Sequence, residues 1–158
     1  MFADHTNVRT SNAPGVSVMI GLDVSGSGNV ALAVARALVD AGAVPITLSD
    51  TTGYVCEPGG FTSDMLDQVE RVKKSNPYQY NRRMSEYCKF SATSQFFPHA
   101  KGGGADSDST STTSFWEIPG DYAFPCAGHS EIGANEAKAI VQGEVKGVFE
   151  AATMPCTQ

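Results

Sequence analysis

"VSGSGNVALAVARALVDAG", residues 24–42, sets Gly26 and Gly28 two positions apart and then runs on with Asn29, Arg36 and Asp40 as its only polar side chains. Such a stretch reads either as a turn that lets a phosphate approach the backbone or as a hinge between a strand and a buried helix. Upstream, "VSVMIGLDV" (16–24) reads as a strand, with Gly21 and Asp23 poor residues for one covered on both faces. Downstream, residues 29–41 place Val30, Ala33, Val34, Ala37, Leu38 and Ala41 on one helical stripe, and Gly42 follows where a left-handed cap belongs. "AVPITLSD" (43–50) is a second strand. "TSDMLDQVERVKKS" (62–75) is a second helix, capped by Thr62 or Ser63 and apolar at Met65, Leu66, Val69 and Val72.

The remainder continues the alternation. Residues 76–90 break at Pro77 and resume as helix; 121–127 are a short apolar segment; 130–143 are helical in their second half; 145–155 are a strand running into a loop. The Gly/Ser/Thr/Asp-rich stretch at about 100–114 reads as a flexible insertion without chemistry, and residues 1–15 as a disordered arm before one domain over 16–158. Strands alternating with helices in this order predict an α/β fold, a Rossmann-like doubly wound parallel sheet with helices on both faces.

Composition narrows the partners. The 158 residues carry a net charge of −6, with 41% hydrophobic and 18% charged side chains, which argues against nucleic acid or an anionic membrane surface. No apolar run approaches a membrane span and the start resembles no targeting signal, so the cytoplasm is the simplest compartment. Cys56, Cys88, Cys126 and Cys156 are too widely spaced to grip one metal and read as free buried thiols; His5, His99 and His129 are scattered, and no metal site is assigned.

In a doubly wound sheet the turn after the first strand faces outward at the carboxyl edge, where backbone amides and the helix dipole favour a pyrophosphate. Here "GSGNVA" has the pattern GxGxxA: Gly26 permits the turn, Gly28 clears the approach, and Ala31 allows close packing. Asp50 ends the second strand 24 residues after Gly26, where an acid accepts hydrogen bonds from the adenosine ribose of NAD. Lys73 and Lys74 could offset that charge for the 2′-phosphate of NADP, or simply occupy a solvated helix end. The pattern alone leaves the cofactor open.

"SGSGNVA", "TLSDTTGYVCEPGGFT", "RRMSEY", "DYAFPCAGHSEI" and "NEAKAIVQGEVKGVFEAATMPCT" occur in this order over about residues 18–157. This series resembles the cofactor domain of NADP-dependent glutamate dehydrogenases of the hexameric type. The resemblance implies reversible oxidative deamination of L-glutamate to 2-oxoglutarate and ammonia, with hydride passing to NADP, in a full-length homo-oligomer. It implies further that Gly26, Ser27, Gly28, Asn29 and Val30 lie along the pyrophosphate, Asp50 and Thr51 by the adenosine ribose, and Lys73 on the 2′-phosphate. Ala127, Gly128, His129 and Thr153 would face the nicotinamide side.

The chain departs from the family pattern there. Gly128 and His129 replace Thr and Gln, and Thr153 replaces the Asn of a GAN sequence. The family's substrate lysines and proton-handling aspartate belong to a separate domain, so the chain reads as a fragment and no catalytic residue is assigned. Two other readings stay open: an NAD-dependent dehydrogenase of another amino acid, and a non-catalytic dinucleotide-binding module.

Overall fold

The computed structural model describes residues 21–75, 84–99 and 115–157. The expected arm over 1–15, residues 16–20 of the first strand, the stretch from Pro77 to residue 83 and the insertion at about 100–114 lie outside the described residues. Among the described residues, six strands form one sheet: β1 (Gly21–Val24), β2 (Val44–Asp50), β3 (Gly53–Cys56), β4 (Gln95–Pro98), β5 (Tyr122–Phe124) and β6 (Gly147–Val148). Three α-helices of the described residues accompany them: α1 (Asn29–Asp40), α2 (Ser63–Lys74) and α3 (Ala134–Gln142). The strand order is β4-β3-β2-β1-β5-β6.

The sheet is mixed, which corrects the expectation of a parallel one. β2, β1, β5 and β6 run parallel, but β3 is antiparallel to both β2 and β4. The cause is local: only Thr51 and Thr52 separate β2 from β3, and so short a connection can join strands only as a hairpin. Asp50 closes that hairpin, its Oδ1 accepting from the Thr52 amide at 2.8 Å and the Thr52 hydroxyl at 2.6 Å. Residues 84–89, expected as α-helix, form a 3-10 helix instead.

Two cores lie on opposite faces, as the neighbours Tyr54 and Val55 show by pointing into different ones. Val24, Leu48 and Val55 meet α1, α2 and the 3-10 helix Met84–Lys89 on one face; Tyr54 and Ala123 meet α3 and the 3-10 helix Phe115–Glu117 on the other. Leu66 and Val69 of α2 are fully buried, each worth about 1.5–3 kcal/mol of transfer free energy. Thr62 is the N-cap of α2, its hydroxyl accepting from the Met65 amide at 3.3 Å.

Helix α1 buries a different face from the one expected. Ala31, Leu32 and Ala35 are buried, whereas Val30 is 49% exposed and Ala33 and Ala37 are exposed as well. Almost every position of the helix is apolar, so periodicity cannot choose the stripe; of the expected one, Val34 and Leu38 are partly buried and pack against the margin of the core. Gly42, at φ +79°, ends the helix as expected. The irregularity noted at Gly21 and Asp23 is real: the β1–β2 register shifts between Leu22 and Asp23, passing over Ile46 beside Pro45, which has no amide to contribute.

Candidate dinucleotide edge

The strand order reverses between β1 and β5, both of which are parallel to β2. The crevice outside the carboxyl ends of such strands is where α/β sheets bind ligands, because the two chains leave in opposite directions. Three segments meet there: the turn after β1, the end of β2, and the loop after β5.

Gly26 has φ +83°, and a Cβ there would lie 3.1 Å from Cα of Ala127 and 3.2 Å from the Cys126 carbonyl. Only glycine fits such a turn without strain. The turn is also tied to β2, the Gly26 amide donating to Ser49 Oγ at 2.7 Å and the Ser49 amide to the Gly26 carbonyl at 3.0 Å. Ser27 is buried, while Gly28, Asn29 and Val30 are exposed along the start of α1.

Gly28 differs from Gly26 in kind. It is the N-cap of α1 at φ −80°, an ordinary conformation, and a Cβ there would meet nothing within 4 Å. Nothing among the described residues requires a glycine there. The first turn of α1 holds no acidic residue and no capping side chain, whereas α2 has Thr62 and Asp64, and Glu136 accepts from the Gly133 amide at the start of α3. An anion fits this position: a backbone-only surface at the positive end of a helix, with the space a side chain would fill left clear.

At the end of β2, Asp50 and Lys73 come together, Lys73 Nζ lying 3.8 Å from Asp50 Oδ2. The same carboxylate oxygen accepts from the Met84 amide at 2.6 Å. Asp50 is therefore a structural acceptor as well as a candidate ribose ligand, and its charge is partly met by Lys73. Thr51 is exposed at the tip of the hairpin. Lys74 points elsewhere and pairs with Glu70.

Beyond β5, Ala127 and Gly128 donate their amides to Glu131 Oε1 at 3.0 and 3.3 Å. The Ser25 hydroxyl donates to Glu131 Oε2 and accepts from the Cys126 amide at 2.8 Å. The segment carrying Thr153 lies alongside, since the Ala151 and Ala152 amides each donate to the Pro125 carbonyl at 3.1 Å and the Ser130 amide to the Met154 carbonyl at 3.0 Å. His129 and Thr153 are both exposed on this rim. Burial, with Glu131 adding to it, pushes the Cys126 thiol up to about 12, so it is no nucleophile here. Cys126 is buried as expected; Cys56, Cys88 and Cys156 are only partly so.

The sequence reading passed over four residues that build this edge: Ser25, Ser49, Glu131 and His99. Two polar residues at strand ends and an acid five positions after Cys126 were visible but carried no assigned role. His99 was set aside with the other histidines, yet its Nε2 lies 3.1 Å from the Asp50 carbonyl and its amide donates to the Thr52 carbonyl at 3.0 Å. A shallow cleft of about 430 Å³ on the opposite, amino edge of the sheet, between the end of α1 and the start of α2, contains none of these groups.

These elements make an α/β protein with a glycine turn and a helix N-terminus that has no side-chain cap at the reversal point of its sheet. The chain belongs to the Glutamate/Leucine/Phenylalanine/Valine dehydrogenase family, whose model matches residues 12–158. It is 37% identical over 136 residues to an NADP-specific glutamate dehydrogenase of Chlorella sorokiniana, covering 85% of this chain and 23% of that protein. It is 33% identical over 137 residues to an NAD-specific glutamate dehydrogenase of Porphyromonas gingivalis, covering 86% of this chain and 27% of that one. Among solved structures, Plasmodium falciparum glutamate dehydrogenase superposes with a TM-score of 0.72 at 34% identity, covering 87% of this chain and 26% of the other. The chain thus spans about a quarter of the length of these relatives. No helix among the described residues is long and apolar enough to cross a membrane.

Proposed function

We infer that this chain is the cofactor-binding portion of an NADP-dependent glutamate dehydrogenase, one Rossmann-like domain over residues 16–158 that binds the dinucleotide along the carboxyl edge of its sheet. The observation that carries the reading is Gly28, a glycine that no contact among the described residues demands, at an N-terminus of α1 without a side-chain cap. When bound, the nicotinamide would take the hydride released as the amino-acid Cα is oxidised. This chain's part is to bind and orient. Gly26, Ser27, Gly28, Asn29 and Val30 lie along the pyrophosphate, which the amides at the start of α1 hold while the Gly26 amide stays on Ser49; Asp50 and Thr51 hold the adenosine ribose, and Lys73 the 2′-phosphate. Ala127, Gly128, His129 and Thr153 face the nicotinamide half.

The Asp50–Lys73 pair supports NADP over NAD, because a carboxylate already bonded to Thr52 and Met84 and flanked by a cation repels a 2′-phosphate less. Substrate handling, and assembly as a homo-oligomer, belong to the full-length enzyme, whose natural setting on this reading is the cytoplasm. Calorimetric titration of the chain with NADP and NAD tests the reading: NADP should bind the tighter, and binding of neither would refute it.

A further inference from the structure

One carboxylate joins both loops of the reversal point. Glu131 accepts two amides from the loop after β5, those of Ala127 and Gly128, and the hydroxyl of Ser25 from the turn after β1. Its own main chain extends the junction: the Trp116 indole donates to the Glu131 carbonyl at 3.3 Å, and the flanking amides of Ser130 and Ile132 donate to the Met154 and Pro155 carbonyls at 3.0 and 2.9 Å. The turn at Gly26 is held separately, by its reciprocal bonds to Ser49. The edge therefore has an anchor on each side, Ser49 toward β2 and Glu131 toward β5, besides the bond of the Ser25 amide to the Phe124 carbonyl at 3.0 Å.

We propose that Glu131 is a positioning residue for the nicotinamide half of the dinucleotide, holding the Ala127–Gly128 loop in register with the β1 turn while leaving the adenosine half to the Ser49 anchor. The proposal rests on the dinucleotide reading above. Without the carboxylate, the Ala127 and Gly128 amides turn to water and the loop beyond Cys126 loses its tie to the Ser25 hydroxyl, which keeps only the Cys126 amide. Glutamine preserves the arrangement, since its carbonyl still accepts the two amides and its NH2 can donate to the Ser25 hydroxyl, which has a lone pair to spare.

Trp116 is the only tryptophan of the 158 residues, and its indole bond to the Glu131 carbonyl makes its emission a reporter of this loop. The experiment titrates the 158-residue chain and its Glu131→Ala, Glu131→Gln and Ser25→Ala variants with NADP and with 2′,5′-ADP, which lacks the nicotinamide half. Circular dichroism checks the fold of each. Glu131→Ala should bind NADP about tenfold or more weakly and lose the NADP-induced change in Trp116 emission, with 2′,5′-ADP within about twofold of the parent. Glu131→Gln should stay within about threefold of the parent on both ligands, and Ser25→Ala should show the same selective loss to a smaller degree. Equal losses on both ligands, or no loss on either, would overturn the positioning role while parent binding upholds the dinucleotide reading. A parent that binds neither ligand would overturn both. Should Glu131→Ala fail to fold, the Ser25→Ala comparison decides alone: selective loss of NADP supports the role and equal affinities refute it.

Discussion

Lys73 and Asp50 face one another across 3.8 Å, from helix α2 to the end of strand β2, with the Asp50 side chain only 11% exposed. The ammonium compensates a carboxylate that the hairpin needs for its own closure. A charge-assisted hydrogen bond from lysine to a 2′-phosphate is worth roughly 1.5–3 kcal/mol, or about tenfold to a hundredfold in affinity. Lys73→Ala should therefore weaken NADP by that factor, leave NAD almost unchanged, and reduce the salt sensitivity of the remaining NADP affinity. Titration of both cofactors at two ionic strengths measures this. Equal losses for both would show damage to the whole edge.

The two glycines of the turn should separate by their effects on stability. Gly26→Ala forces a left-handed residue against Ala127 and Cys126 and should destabilise by about 1–2 kcal/mol or more. Gly28→Ser places a capping hydroxyl at an open N-cap and should stabilise the fold by a few tenths of a kcal/mol. Urea melts of the two variants check the pair. A stabilised Gly26→Ala would contradict the assigned strain.

Asp23 should make the fold less stable as pH rises. Its carboxyl lies in β1 at 1% exposure, Oδ1 has no hydrogen-bond partner among the described residues, and Oδ2 fills the space a side chain on Gly120 would need. Burial, and secondarily Asp121, raises its pKa well above the usual carboxylate range. The unfolded chain loses this proton near pH 4, about the ordinary value, whereas the folded chain keeps it until the raised value is reached. Stability should fall across that window by at most about 1.4 kcal/mol per pH unit and level off above it. Asp23→Asn should remove this component of the slope, giving the variant its largest advantage at high pH. Melts across pH 4.5–8.5 that run parallel for parent and variant would contradict this.

How much of this was legible in the sequence can be judged from particular residues. Helices α1 and α2, the cap at Thr62 and the left-handed Gly42 follow from local chemistry, and were read correctly. The hairpin was not, because Asp50-Thr51-Thr52-Gly53 closes through the Asp50 side chain instead of the Asn-Gly type of turn that marks hairpins in sequence. The buried face of α1 was misread since alanines and valines occupy nearly every position. At the edge, Gly26 is bonded to Ser49, the neighbour of Asp50, and Asp50 meets Lys73, a lysine whose role the glycine pattern left open and only the family resemblance singled out. Glu131, Ser25 and His99 remained invisible because their roles depend on contacts between segments distant in the chain.

The thiols should be sluggish. Burial pushes Cys56 up to about 11 and Cys126 to about 12, and Cys156 reaches about 11 chiefly through its contact with Glu150. At pH 8 only about a thousandth or less of each is thiolate. Iodoacetamide should modify these three in the folded chain far more slowly than in urea, as mass spectrometry of the labelled peptides would show. Rapid labelling of Cys126 in the folded chain would contradict the burial described.

The most direct measurement is a calorimetric titration with NADP of the parent chain beside Gly28→Val. A Cβ at Gly28 meets no atom of the described residues within 4 Å, so the variant should fold, losing no more than about 1 kcal/mol of stability. If the dinucleotide lies on the amides at the start of α1, the parent binds one NADP per chain and the variant binds none detectably, because the valine fills the phosphate's place. Equal binding by parent and variant would contradict that placement, leaving the glycine turn a hinge between strand and helix and nothing more.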